Sequence, residues 1–361
     1  MAGLKKNSSE PFYLQIYRSL LAEIVSGSIP IGAKLPGMKL LAEQYNVSTI
    51  TINLALNRLI CEGYCIRRPK KGTFVNSRNS REERPRTGTI ILFSETDNSE
   101  IDLVDTSFYT HLRQSTGRVS QFDLLVISGH RNYERMMRQL KENKNIIGVV
   151  FLTIFDLRLV LRAASEHPEL QFVLLNYQFS GFANLAPENL KGVFNDEFNG
   201  GYMAALKLIA DGARKTGVLF FGHASNENYN LRLKGFLQAH NDRGVPFDRN
   251  LIINIAELPT MQRGYDGMAN LLSMRDNLDA VFCVNDLLAA GAQNFLSESK
   301  RLGTIRIMGY DNHNIELHIS HHFSTIGIDF RTMTSAAINM ILKPDEYPCR
   351  ALHIPPMLIS V

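Results

Sequence analysis

Residues 47–75 read VSTITINLALNRLICEGYCIRRPKKGTFV, and their pattern changes twice. From Thr49 to Glu62 the apolar residues return at helical spacing. Ile52, Ala55, Leu56, Leu59 and Ile60 make one stripe, and Ser48 stands where an N-cap belongs. The opposite side presents Thr49, Thr51, Asn53 and Asn57. Gly63-Tyr64 closes the helix, and the remainder predicts two short strands joined by a basic turn at Pro69–Gly72. Upstream, residues 11–26 place Tyr13, Ile16, Tyr17, Leu20, Leu21 and Ile24 on one helical face that stops at Gly27. Residues 37–45 predict a short helix with Leu40 and Leu41 facing inward.

Three small helices and a basic hairpin make a winged helix-turn-helix, whose third helix fits a DNA major groove. Residues 1–88 carry fourteen Lys/Arg against six Asp/Glu, a net +8, whereas residues 89–361 carry −4. A small basic head on a mildly acidic body points to a polyanion as the head's partner. The candidate DNA-binding residues are Lys39, Ser48, Thr49, Thr51, Asn53, Arg68, Lys70, Lys71 and Gly72. The polar side chains suit base edges or phosphates, the cations suit phosphates, and Gly72 keeps the turn slim.

Residues 11–76 resemble the DNA-binding domain of the GntR family of bacterial transcription regulators. The resemblance rests on PFYLQIY, IVSGSIPIGAKLP, LLAEQYNVS, TINLALNRL, EGY and KKGTFV, in that order. The family often has Ser and Arg where Gly37 and Lys39 stand, and Arg where Thr49 and Asn53 stand. Losing those arginines removes the commonest bidentate guanine contact, so the resemblance implies DNA binding with an unfamiliar operator preference.

Residues 77–88 hold nothing able to build a core and read as a solvated linker. Beyond it, short β-branched runs at 89–93, 122–127, 146–152, 171–175, 217–221, 251–255, 279–284 and 304–309 alternate with helix-like stretches near 107–117, 132–143, 156–166, 197–211, 229–242, 261–274 and 286–299. That alternation predicts an α/β body with parallel sheets covered on both faces. In such sheets ligands bind beyond the carboxyl ends of the strands. An enzyme is the competing reading, but GxGxxG, GxxxxGK[ST] and GxSxG are all missing, so no catalytic residue or cofactor is expected. His313, His318, His321 and His322 lack an obvious carboxylate partner and read as a surface loop, so no metal is expected. Four scattered cysteines do not form a disulfide framework, and no run of ~18 apolar residues occurs, which predicts a cytoplasmic protein with no membrane partner.

Residues 88–361 resemble the effector-binding domain of the LacI family, which shares its fold with periplasmic sugar-binding proteins. The stretches are GVFNDEFNGGYMAALKLIADGARKTGVLFF, NLRLKGFLQAH, DAVFCVNDLLAAGAQNFL, IRIMGYDN and FSTIGIDFRTM. Over 90–175 the match is chiefly one of strand–helix rhythm. The resemblance implies a two-lobed, dimerising sensor over 89–361, behind a DNA-binding head over 1–76, with hinges near 190–196 and 325–330. It carries the ligand role onto Arg232, Asn285, Asp311, Asn228, Asp196, Phe108, Tyr109 and Asn176. The whole resembles sugar-catabolism regulators of the arabinose-repressor type. That implies a homodimeric repressor of a carbohydrate operon, with double-stranded operator DNA and a small monosaccharide effector as partners. A dimer whose sensor no longer binds ligand is the remaining alternative.

Overall fold

The computed structural model describes residues 12–61, 64–68, 71–76, 88–96, 107–112, 122–154, 156–179, 181–222, 227–255, 259–312, 323–347 and 349–360. Lys70, most of the linker and the four histidines of 313–322 therefore lie outside the described residues.

The head contains α1 (Phe12–Val25), α2 (Met38–Tyr45), α3 (Thr49–Cys61), β1 (Cys65–Arg68) and β2 (Gly72–Val75). The α3 stripe is fully sealed, with Ile52, Ala55 and Leu59 at 0% exposure. Leu41 is buried and Leu40 is 49% exposed, which corrects the expectation that both face inward. Neighbours on a helix lie ~100° apart, and here Ala42 and Tyr45 share the inner face with Leu41 instead. β1 and β2 pair antiparallel from Cys65↔Val75 to Arg68↔Gly72, with Lys34 bridging to Phe74.

Among the described residues the body holds two six-stranded sheets. The first lobe contains β3 (Gly88–Ser94), β4 (Phe122–Ser128), α4 (Tyr133–Glu142), β5 (Ile146–Phe151), α5 (Leu157–Glu166), β6 (Gln171–Leu175), α6 (Phe182–Leu185) and β7 (Leu190–Asn195). The second lobe follows with α7 (Glu197–Ala210), β8 (Thr216–Phe220), α8 (Glu227–Asp242), β9 (Ile252–Asn254), α9 (Met261–Met274), β10 (Ala280–Cys283), α10 (Asp286–Glu298), β11 (Arg306–Asp311) and β12 (Ser324–Gly327). The chain then recrosses through α11 (Phe330–Leu342) to β13 (Ala351–Ile354), and returns as β14 (Met357–Ile359). The sheet orders are β13-β7-β6-β5-β3-β4 and β14-β12-β11-β10-β8-β9, parallel except for β12–β14.

Two sequence expectations change here. Residues 190–195 and 324–327 are strands inside the sheets, so the crossings sit just after them, and a third crossing joins β13 to β14. LKGVFN does not look like a buried strand because of Lys191, which is 9% exposed. Its ammonium donates to Pro344 O at 2.6 Å, which gives the buried donor an acceptor.

Candidate functional site

The head offers one polar surface. Ser48 caps α3, its Oγ accepting from Thr51 N at 3.2 Å and lying 3.0 Å from Thr51 Oγ1. Lys39, Ser48, Thr49, Arg68 and Lys71 are exposed, and Thr51 is partly so. Gly72 has φ 114°, a conformation a side chain would resist, and the Lys34 stem lies 2.8 Å from where a Cβ would stand. Lys34 thus joins the basic surface beside the turn, a position that sequence spacing did not single out. The Arg68 guanidinium sits over the Phe74 ring at 5.0 Å. Asn53 and Asn57, both expected on the open face, are engaged. Asn53 Oδ1 accepts from Arg67 at 3.0 Å, and Asn57, 4% exposed, donates to His353 O at 3.1 Å.

In the body, α7 and α8 cross at touching distance. A Cβ on Gly201 would stand 1.8 Å from Arg232 O, and one on Gly235 would stand 1.8 Å from Phe198 O. This approach brings Glu197 at the start of α7 onto Arg232 of α8. Arg232 Nε and Nη2 donate to the two Glu197 oxygens at 2.7 and 3.1 Å, and Nη1 donates to Val284 O at 2.6 Å. Nη2 also stands 2.9 Å from Asp311 Oδ1, an ionic contact without the alignment of a good hydrogen bond. The guanidinium lies 3.7 Å above the Tyr310 ring. Burial alone would push the Arg232 pKa down, but Asp311, Glu197 and Tyr310 outweigh it and hold it well up. Burial, then Glu197, pushes the Tyr310 hydroxyl well above its usual range. Asn195 Nδ2 donates to that hydroxyl at 3.0 Å.

Each remaining residue expected at the ligand has a defined place. Asn285 caps α10 by accepting from Leu288 N at 3.0 Å, and its neighbour Asp286, 0% exposed, accepts from Thr325 at 2.7 Å. Asp196 caps α7 by accepting from Asn199 N at 3.1 Å. Burial raises its pKa to about 6, the Asn199 N–H pulls it back, and Glu197 adds to the rise. Asn228 spans the lobes: its Nδ2 donates to Asn176 O at 3.0 Å and its Oδ1 accepts from Gln178 N at 3.1 Å. Asn176 has φ 72°, an uncommon left-handed value for a residue other than glycine. Asp311 also has positive φ, at 98°. Phe108, expected to stack on ligand, is sealed in the core edge-on to Phe330 at 4.9 Å, whereas Tyr109 is 37% exposed.

Sequence reasoning missed Glu197, Tyr310, Asn195 and Glu95. Glu95 follows β3 and is buried, with Oε1 2.7 Å from His130 Nδ1 and Oε2 accepting from Asp156 N at 3.2 Å. The buried Oδ1 atoms of Asn176 and Asn195 have no hydrogen-bond partner among the described residues. At the strand ends Glu197 and Asp311 are buried against Arg232, while Glu95 and Asp286 are buried with partners of their own.

A family model described as "Bacterial regulatory proteins, gntR family" matches residues 12–75, and one described as "Periplasmic binding proteins and sugar binding domain of LacI family" matches residues 105–315. An HTH-type transcriptional repressor PurR from Actinobacillus pleuropneumoniae serotype 5b (strain L20) is 31% identical over 161 residues, 44% of this chain and 47% of that one. The PurR repressor of Klebsiella pneumoniae (strain 342) is 28% identical over 217 residues, 59% of each chain. The chain thus spans about half the length of the curated relatives it matches. Among solved structures, a transcriptional regulator CelR–cellobiose complex superposes with TM-score 0.63 at 18% identity, covering 90% of this chain and 99% of that one. A LacI-family regulator from Enterococcus faecium with bound ribose gives 0.60 at 19% identity, covering 76% and 98%.

Proposed function

The chain belongs to the family of periplasmic binding proteins and LacI-type sugar-binding domains, with a GntR-type head, and we propose that it is a transcriptional repressor rather than an enzyme. A small neutral sugar held between the lobes sets its grip on operator DNA. The observation that carries this reading is the joining, in one chain, of a winged head with an exposed basic, hydroxyl-rich surface to a two-lobed body whose strand ends carry buried carboxylates around Arg232. The head reads duplex DNA through Ser48, Thr49 and Thr51 on α3, with Lys39, Arg68, Lys71 and the neighbouring Lys34 on phosphates. Gly72 keeps the turn of the wing slim, and Lys70 adds a further phosphate contact in this reading.

The saturated guanidinium supports the choice of a neutral effector. Arg232 already meets two carboxylates and a carbonyl, so its guanidinium is not free to receive a phosphate. Arg232 holds Asp311 and Glu197 in place, while Asp311 and the buried Oδ1 atoms of Asn176 and Asn195, which have no partner among the described residues, accept from sugar hydroxyls once the lobes part. Bound ribose and cellobiose in two structural relatives fit the same chemistry. The protein acts in the cytoplasm as a homodimer on a roughly two-fold symmetric carbohydrate operator.

Thermal unfolding against monosaccharides, nucleosides and sugar phosphates, paired with duplex-binding anisotropy, tests the proposal. A neutral sugar should stabilise the chain by ~2.7 kcal/mol at one hundred times its dissociation constant, and the same sugar should change duplex affinity. Stabilisation by phosphorylated sugars alone would overturn the effector class. Conversion of any panel member would overturn the regulator reading.

A further inference from the structure

β13 is an edge strand of the first lobe's sheet, paired on one side with β7. Its inward carbonyls are Arg350 O, bonded to Gly192 N, and Ile354 O, bonded to Asp196 N. Strand alternation therefore sends His353 O to the open edge. That is the carbonyl to which Asn57 of α3 donates at 3.1 Å, and α3 packs along β13. Beside this bond, Tyr13 and Arg58 of the head face Thr332, Pro355 and Met357 of the body across a narrow gap. The sheet edge is thus covered by the helix whose open face reads DNA.

We propose that this is a head-docked state in which the edge of β13 holds the C-terminal half of α3, and that duplex binding requires the contact to open. The inference rests on the DNA-binding reading above. A helix with its side chains is ~10–12 Å across and a major groove is ~12 Å wide, so α3 cannot fill a groove while Asn57 is pinned to a sheet. Asn53 lies one turn before Asn57 on the same face, and it is also engaged, through Arg67 of the wing. Undocking gives up the Asn57–His353 bond and the packing of α3 along β13, which favours the docked state when no DNA is present.

The dock is also tied to the lobes. The His353 ring that extends from the same strand has Nε2 3.3 Å from Gln178 Nε2. Gln178 N donates to Asn228 Oδ1, on α8 of the second lobe. A movement of one lobe against the other thus reaches the strand on which the head rests.

Hydrogen exchange and duplex binding of the full chain test this. Met357 is 37% exposed and lines the gap with Arg58, away from the reading face and the crevice. Met357→Lys sets a like charge beside Arg58, and Met357→Glu sets an opposite one, while Asp329 on the same gap stays bonded to Thr332 as the α11 cap. Before any DNA is added, exchange at 351–354 should rise in M357K and fall in M357E. Duplex affinity should rise about two- to five-fold in M357K and drop by a similar factor in M357E. Saturating duplex should raise exchange at 351–354 in the wild type while protecting α3. The proposal is overturned if both variants move exchange in the same direction, or if duplex leaves 351–354 unchanged. Should no duplex bind at all, the DNA-binding reading falls, and the exchange comparison between the two variants still decides the dock.

Discussion

Arg232→Met separates a structural arginine from one reserved for effector. The guanidinium has a side-chain exposure of 4%, and its partners Glu197 and Asp311 have 0% and 5%. Removing it leaves two buried carboxylates without their cation and Val284 O without its donor. Breaking a buried pair in this way costs about 3–5 kcal/mol, far more than the pair's net worth, because the stranded charge cannot regain water. In a body of this size each kcal/mol moves the melting temperature ~2–4 °C, so the ligand-free transition should fall by roughly 6–20 °C. Added salt should not restore it, because ions do not reach the site. Glu197→Gln in the Arg232→Met background removes one stranded charge, and the double-mutant cycle should show ~1–3 kcal/mol of coupling. Denaturant melts of the four proteins without ligand provide the measurement. If Arg232→Met lies within ~1 kcal/mol of wild type and loses only sugar-induced stabilisation, the arginine is an effector contact and the structural account fails.

Three further outcomes follow from the geometry. Asp196 should make the body less stable as pH rises from ~4 to 6, since its folded pKa of about 6 lies above the unfolded 3.8 and the native state keeps a proton that unfolding releases. Asp196→Asn keeps the cap and removes that charge, so in urea melts it should match wild type near pH 4 and exceed it by about 1–3 kcal/mol at pH 8. Gly235→Ala would drive a methyl to 1.8 Å from Phe198 O, and spreading two packed helices should cost ~3 kcal/mol or more; a denaturant midpoint near wild type would contradict the crossing. Lys71→Ala should weaken binding to specific and random duplexes alike and lower the salt slope by ~1, measured by anisotropy over a salt series.

Much of this architecture is legible in local sequence, because helix and strand periodicities depend on near neighbours. The three head helices and the hairpin follow from the α3 stripe and the turn at Gly72. Eight of the body's strands follow from β-branched runs. What local pattern does not reveal is pairing over distance. β13 and β14 are four and three residues long, flank Pro355-Pro356, and become strands through partners supplied by β7 and β12. Arg232 is visible as a site residue, but its saturation depends on Glu197, 35 positions away on another helix. FNDEF carries an acidic pair at a helix start, of which the sequence reading singles out only Asp196. Which of the two carboxylates caps the helix and which reaches Arg232 is decided by the α7–α8 crossing. Asn57 looks like an open-face reader until a strand nearly 300 positions later is laid beside it.

The crevice and the dock share a physical consequence. Asn228 has both ends of its amide on first-lobe backbone, so it favours the bridged arrangement of the lobes before any effector enters. An effector can shift the head only through a difference in its affinity for the lobe arrangements. On the proposed reading, a sugar that displaces Asn228 from Asn176 O and Gln178 N must replace those bonds with its own hydroxyls, and the buried Oδ1 of Asn176, unpartnered among the described residues, lies on the residue being released. Because Gln178 also meets His353, the same exchange of bonds loosens or tightens the strand under α3. A coupling of ~1–3 kcal/mol, the strength of one or two such hydrogen bonds, is enough to change duplex affinity 5- to 150-fold. On this view Gln178→Ala, which cuts the ring contact, should leave sugar affinity within a few-fold of wild type while shrinking the effect of sugar on duplex binding. An undiminished sugar effect in that variant would show that the signal reaches the head by another route.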